Sequence, residues 1–165
     1  MNGLTNHIAV YLEIVDIEKY CLGWEVNASF KLFVSDKKKD QFVTIQGLVS
    51  IDADAEIRRF HDVKTEWGFN KFLPFDSFNC HCNGYLVNNC CVIGVEVFVH
   101  ERSGKREFLS LIKQAPNGVM TWKLENFLAV NKATYYSQVF TIGYLKWYFY
   151  YWKFHFYCYK KESYH

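Results

Sequence analysis

The segment NCHCNGYLVNNCC concentrates side chains that bind metals or act as nucleophiles. It contains Cys80, His81, Cys82, Cys90 and Cys91. Thiolates and imidazoles are zinc ligands, so two pairs across a turn are a candidate tetrahedral site. However, Cys-x-Cys and Cys-Cys lack the two-residue spacing that is typical of structural zinc sites. Adjacent cysteines of a strand also point to opposite faces. We therefore expect no metal and no cofactor.

A cysteine nucleophile is the second chemistry that this segment suggests. Such a nucleophile needs a base within reach and a group that orients the base. His81 lies between two cysteines, but no glycine-rich loop or helix N-terminus is evident to stabilise an oxyanion. We therefore expect no catalytic residue and no enzymatic activity.

The cysteines are expected to be reduced thiols. The N-terminus lacks the basic, apolar and small-residue pattern of a signal peptide, and no run of apolar residues is long enough to span a membrane. We expect an intracellular protein in the cytoplasm, with the nucleus as a second location. Disulfides are rare in these compartments.

The segment KTEWGFNKFLPF, residues 64–75, carries another candidate site. Side chains alternate along an extended strand, so Trp67 and Phe69 are predicted to point to the same side. Aromatic residues on strands are usually core, but exposed rings also form binding surfaces. The spacing alone leaves both interpretations open.

Composition favours a folded, strand-rich domain. The chain has 165 residues, of which 50% are hydrophobic and 19% aromatic, and its net charge is +2. Aromatic and β-branched residues prefer strands. The weak charge gives no basic surface of the kind that binds nucleic acid, so we expect no nucleic-acid partner.

Alternating apolar and polar residues predict the strands. The clearest case is WEVNASFKLFV, in which Val26, Ala28, Phe30, Leu32 and Val34 alternate with polar residues. Further strands are predicted at 8–15, 41–45, 57–63, 91–99, 120–127 and 135–152, and a short strand at 85–87 after a turn at Asn83-Gly84. Short strands at this spacing, separated by turn signals, are typical of an antiparallel sandwich or barrel.

The motifs of this chain together resemble one known family. They are VYLEIVD, GWEVNASFKLFV, TEWGFNKFLPFDSFN, NGYLVNNCCVIGVEVFV and TWKLENF. The chain resembles the MATH (meprin and TRAF homology) domain, most of all the plant members with tandem copies and the N-terminal module of plant ubiquitin-specific proteases. This resemblance implies an all-β fold, an eight-stranded antiparallel TRAF-like sandwich.

The order of the motifs departs from the family. The chain enters at the family's third strand, and counterparts of the first two strands follow at the other end. We interpret residues 1–100 as a MATH domain that lacks its first two strands. Residues 101–119 are then a linker, and residues 120–165 the start of a second MATH domain with an atypical aromatic tail.

These displaced strands suggest a sandwich completed in permuted order. MTWKLENF would pair with VIGVEVFV, and VFTIGYLKW would pair with IAVYLEIV. Apolar strand edges left open would invite association, so the pairing has a driving force. The same pairing between two chains would give self-association through the C-terminal strands.

The resemblance also implies a binding site and a role. In the family, the strand with the WGF motif borders a shallow groove in which a partner's extended peptide pairs with that strand. Carried over to this sequence, the peptide-binding residues are Tyr11, Phe30, Lys64, Thr65, Glu66, Trp67, Gly68 and Phe69. We expect a module that binds short linear peptides and recruits substrates in ubiquitin pathways. The alternative is a truncated structural or non-functional fragment of a larger MATH protein or ubiquitin-specific protease.

Overall fold

The computed structural model describes residues 6–44, 56–100, 117–129 and 134–153. Its strands are β1 (His7–Ile14), β2 (Glu25–Asp36), β3 (Gln41–Thr44), β4 (Arg58–His61), β5 (Glu66–Pro74), β6 (Cys91–His100), β7 (Asn117–Leu124), β8 (Thr134–Tyr136), β9 (Phe140–Ile142) and β10 (Leu145–Lys153). One short helix, α1 (Phe75–Asn79), follows β5, and 3₁₀ turns lie at Ile17–Lys19 and Phe127–Ala129. None of the described helices is long and apolar enough to cross a membrane.

The strands form two antiparallel sheets that pack as a sandwich. The first sheet has the order β5-β1-β10, with β8 and β9 both along the far edge of β10. The second has the order β2-β6-β7, with β3 and β4 both along the outer edge of β2. Each pair of short strands fills one position, so the described part of the chain forms the predicted eight-stranded arrangement.

The C-terminal strands complete the sheets in permuted order. β7 pairs with β6 along its whole length, which confirms the predicted pairing of MTWKLENF with VIGVEVFV. β10 pairs with β1 through residues 147–153, so the predicted segment VFTIGYLKW lies opposite β1 only at its last residue, Trp147, and the prediction is wrong for the rest of it. The preceding residues 140–147 instead form a hairpin between β9 and β10.

The core contains side chains from both ends of the chain. Ile8, Val10, Leu12 and Ile14 of β1 point inwards and are buried. Trp147, Phe149 and Tyr151 alternate along β10 in the same way, and they too are buried. The aromatic side chains of β10 therefore fill part of the same core as the side chains of β1.

Two predicted strands differ from the structure. The single strand predicted at 135–152 is three strands in the structure. Gly143, at φ 63°, lies in the turn between β9 and β10, and residues 137–139 separate β8 from β9. The turn predicted at Asn83-Gly84 is confirmed, since Gly84 has a φ of 71° and its carbonyl accepts the Lys37 amide. The short strand predicted after this turn is wrong, because Val87 forms only an isolated bridge with Cys90.

Several sequence predictions fall outside the described residues. These include the last residue of the strand predicted at 41–45, and the tail beyond residue 153. Of the predicted linker, residues 101–116 lie outside the described ranges, whereas 117–119 belong to β7. The division into a domain, a linker and a second start stays a prediction, as does self-association.

Candidate functional site

β5 is the terminal strand of the first sheet. Within the described residues it pairs with β1 alone, from Glu66 opposite Glu13 to Pro74 opposite His7. The other edge of a terminal strand carries backbone amide and carbonyl groups that another extended segment can pair with. The residues of the WGF motif lie on this strand.

Trp67 and Phe69 lie on the same side of β5, as the sequence predicts, and the structure shows that this is the inner side. Their cross-strand neighbours are Leu12 and Val10, which point into the core. Both rings are half-buried and pack against the core from its margin, and the Phe30 ring meets Phe69 edge-on at 6.2 Å. The three rings therefore lie at the margin of the core, at the opening between the two sheets. Each ring packs against the core and is also partly exposed.

The Trp67 ring is held in place by polar contacts. Its Nε1 donates a hydrogen bond to the Arg59 carbonyl at 2.8 Å. The Arg58 guanidinium and the Lys64 ammonium lie 5.0 Å and 4.9 Å from the ring centroid. The electron-rich face of the indole attracts both cations, and these contacts hold the ring at the margin of the core.

Tyr11 lies on the other side of the sheet from Trp67. It is directly opposite Gly68, and a Cβ on Gly68 would overlap the Val10 carbonyl and the Tyr11 Cα. In this structure the missing side chain of Gly68 thus makes room for the neighbouring strand. The Tyr11 hydroxyl donates to Asn70, and burial, with the Glu66 charge, raises the pKa of Tyr11.

A tight turn leads into β5. The amide and carbonyl groups of His61 and Lys64 bond reciprocally, at 3.0 and 2.9 Å. The Thr65 carbonyl then accepts the Ile14 amide at 3.0 Å, and its hydroxyl donates to Glu13 at 3.4 Å. Lys64 and Thr65 therefore form the entry to the edge strand.

The predicted site residues therefore divide between two sides of β5. Phe30, Trp67 and Phe69 are on the inner side, whereas Tyr11 and Gly68 are on the outer side. Sequence reasoning missed Tyr150, which stacks on Tyr11 with ring centroids 5.2 Å apart. Only the pairing of β10 with β1 brings these two tyrosines together, and no local motif signals it.

The cysteine cluster is dispersed in the structure. Cys80 and Cys82 form a disulfide, so the expectation of reduced thiols is wrong for this pair. Cys90 is half-buried and Cys91 is buried, where desolvation raises the pKa of its thiol to about 12. Among the described residues, no group of three or more His, Cys, Asp or Glu is placed to hold a metal ion.

Comparison with known proteins identifies the fold. A family model described as the MATH domain matches residues 2–97, more than half of the chain. The chain belongs to the MATH domain family. Among curated proteins it is similar to ubiquitin C-terminal hydrolase 13 of Arabidopsis thaliana, at 27% identity over 96 residues, and to ubiquitin C-terminal hydrolase 12 of the same plant, at 25% over 96 residues.

The region shared with these two relatives is only a small part of each of them. Each covers 58% of this chain but only 8% of the relative. No solved structure matches the chain. The shared region is a MATH domain, which is generally a protein-interaction module, and it has homologues in ubiquitin-specific proteases.

Proposed function

We propose that this MATH domain binds short linear peptides by strand addition along the edge of β5. The observation that carries the proposal is the placement of Trp67 and Phe69. They are half-buried aromatic side chains on a strand that pairs on one edge only within the described residues. Backbone hydrogen bonds then supply affinity, and the side-chain surroundings supply selectivity.

The two sides of β5 give such a peptide an alternating environment. Side chains of an added strand alternate between its faces. One set meets Phe30, Trp67 and Phe69 at the opening of the sandwich. The other set meets the outer side, where the Tyr11 ring lies against Gly68. We therefore propose that bound peptides carry apolar or aromatic residues at every second position.

The context of the relatives suggests the biological role. Proteins named ubiquitin C-terminal hydrolases contain the matching region. We propose that this domain recruits substrates in ubiquitin pathways, in the cytoplasm or nucleus, and contributes binding and no chemistry of its own.

A peptide screen followed by backbone modification tests this function. Phage display of random peptides on the purified chain should enrich a motif with alternating apolar positions. N-methylation of the selected peptide, one amide at a time, should weaken binding at every second position, because an antiparallel or parallel partner directs only alternate amides to β5. The proposal fails if no motif is enriched or if N-methylation has no alternating effect.

A further inference from the structure

The outer face of the first sheet carries a continuous group of aromatic and acidic side chains. The register places Tyr11 opposite Tyr150 and Tyr150 opposite Tyr136. Along the same face, Glu13 lies opposite both Tyr148 and Glu66. We call this group the tyrosine patch: Tyr11, Tyr136, Tyr148, Tyr150, Glu13 and Glu66.

The rings of the tyrosine patch contact one another across three strands. Tyr11 stacks on Tyr150 at 5.2 Å, and Tyr136 lies 5.5 Å from Tyr150 and 5.2 Å from Tyr148, centroid to centroid. Tyr136 is 58% exposed, so the cluster reaches the surface. Because the rings already contact one another, a ligand that binds on them would order few additional side-chain torsions.

The two carboxylates of the patch are unfavourably placed for an isolated domain. Glu13 and Glu66 are directly opposite one another on neighbouring strands, and like charges in this position destabilise a sheet. Tyr148 donates to Glu13 at 2.6 Å, and Tyr150 donates to Glu66. These hydroxyls orient the carboxylates but, being neutral, do not cancel their charges.

No described residue supplies the missing positive charge. Lys146 lies on this face of β10, but it pairs with Asp16 at 2.9 Å. Lys64 lies against Trp67 on the inner side. Among the described residues, neither Glu13 nor Glu66 has an ion pair, so the patch holds two negative charges beside a stack of aromatic rings.

We propose that the tyrosine patch binds an arginine side chain from a basic segment of a partner protein. The patch shares Tyr11 and Glu66 with the predicted peptide-binding residues, but it lies on the opposite side of the sheet from Trp67 and Phe69. A guanidinium group stacks on aromatic faces and makes paired hydrogen bonds to carboxylates. The patch presents both. A bound arginine would relieve the repulsion between Glu13 and Glu66 at the same time.

A labelled peptide measures this binding directly. The probe is a fluorescein-labelled Arg-Gly repeat, compared with a Lys-Gly repeat of the same length by fluorescence anisotropy. The arginine probe should bind saturably and more tightly than the lysine probe, because an ammonium group lacks the planar fork. Equal affinities, or the absence of saturable binding, would overturn the proposal.

Two sets of variants locate the site. Glu13→Gln with Glu66→Gln should weaken binding of the arginine probe by about tenfold, since two charge-assisted contacts are lost. The control, Glu96→Gln with Glu125→Gln, makes the same change in net charge on partly exposed or exposed side chains outside the patch, and it should change binding by less than about twofold. Equal weakening by both pairs would show only general charge attraction and reject the site.

Two further variants test the site if the protein with Glu13→Gln and Glu66→Gln fails to fold. Tyr136→Ala removes the exposed ring without changing charge, and it should weaken the arginine probe while the melting temperature is kept. Trp67→Ala, on the opposite side of the sheet, should leave this probe unaffected, which separates the patch from the inner side of the proposed peptide site. If Tyr136→Ala instead alters the sedimentation of the chain itself, the face contacts a second copy and the proposal is wrong.

Discussion

The indole of Trp147 meets the ring of Phe60 edge-on, with centroids 5.3 Å apart, and both side chains are fully buried. Phe60 lies on β4 of the second sheet, and Trp147 lies on β10 of the first. This contact spans the sandwich and joins its two sheets in one core. The strands at the C-terminal end are therefore expected to contribute to stability.

Replacing Trp147 with Ala should destabilise the domain by about 3–5 kcal/mol, the range for large aromatic residues removed from a core. Urea unfolding followed by circular dichroism measures the effect. Tyr144→Ala is the control, because Tyr144 is 76% exposed and should lose less than about 0.5 kcal/mol. Equal stability of wild type and Trp147→Ala would mean that β10 does not complete this core in solution.

The second prediction concerns the Trp67 ring. Trp67→Ala should weaken binding of a peptide selected by display by about 2 kcal/mol, the scale of a central aromatic anchor. Because the ring is only half-buried, the fold should survive. Isothermal titration calorimetry measures the affinity, and a thermal melt monitors the fold.

A matched control for Trp67 is Phe42→Ala, which removes an exposed ring on β3 of the second sheet. This change should leave peptide affinity unaltered. If Trp67→Ala unfolds the domain, the ring is structural and the assignment of the site is wrong.

Local sequence patterns predict where the strands lie, but not which strands pair with one another. The alternation from Val26 to Val34 fixes β2 and its inner face, as the structure confirms. Likewise, the spacing of Trp67 and Phe69 places both rings on one side of β5. Period two within a strand is a local property, so it can be deduced without knowing what the strand pairs with.

The relationships across strands are different, because they depend on register. That Glu13 faces Glu66, or that Tyr11 stacks on Tyr150, follows only from the pairing of three strands distant in sequence. The aromatic run of β10 is apolar on both faces, so its pattern does not indicate which set is buried. The turn at Gly143 sets the register of β10 and therefore which set of its side chains is buried, because a one-residue change in register exchanges the buried and the exposed face.

Gly68 provides the third prediction. A Cβ at this position would overlap backbone atoms of Val10 and Tyr11, which cannot move without shifting β1. Gly68→Ala should therefore destabilise the domain by about 1–3 kcal/mol. At Gly118 the nearest atoms are side-chain carbons of Ile142, at 3.0 and 3.2 Å, and no backbone atom is as close as at Gly68, so Gly118→Ala should cost less. Denaturant midpoints compare the two, and equal effects would contradict the predicted close approach.

The fourth prediction concerns the Tyr151 hydroxyl. It is buried, and no partner accepts or donates a hydrogen bond to it among the described residues. Because a buried polar group without a partner is unfavourable, Tyr151→Phe should stabilise the domain by about 1 kcal/mol. Tyr148→Phe is the matched control, since its hydroxyl donates to Glu13 and its removal should destabilise. Thermal melts of both variants test the sign, and a destabilised Tyr151→Phe would reveal a hydrogen bond.

The last prediction links stability to pH through Cys91. Burial raises the pKa of its thiol from 9.0 to about 12 in the folded state. Between these values the unfolded chain loses this proton and the folded chain keeps it, so the free energy of unfolding must fall as pH rises. Cys91→Ala lowers stability at every pH through lost packing, but it should decline less steeply than wild type above about pH 9. Tyrosines and lysines titrate in both proteins, so the difference in slope isolates the thiol. Denaturant unfolding at a series of pH values from about 8 to 10.5 measures it. Parallel curves would show that Cys91 reaches solvent and that its thiol ionises alike in both states.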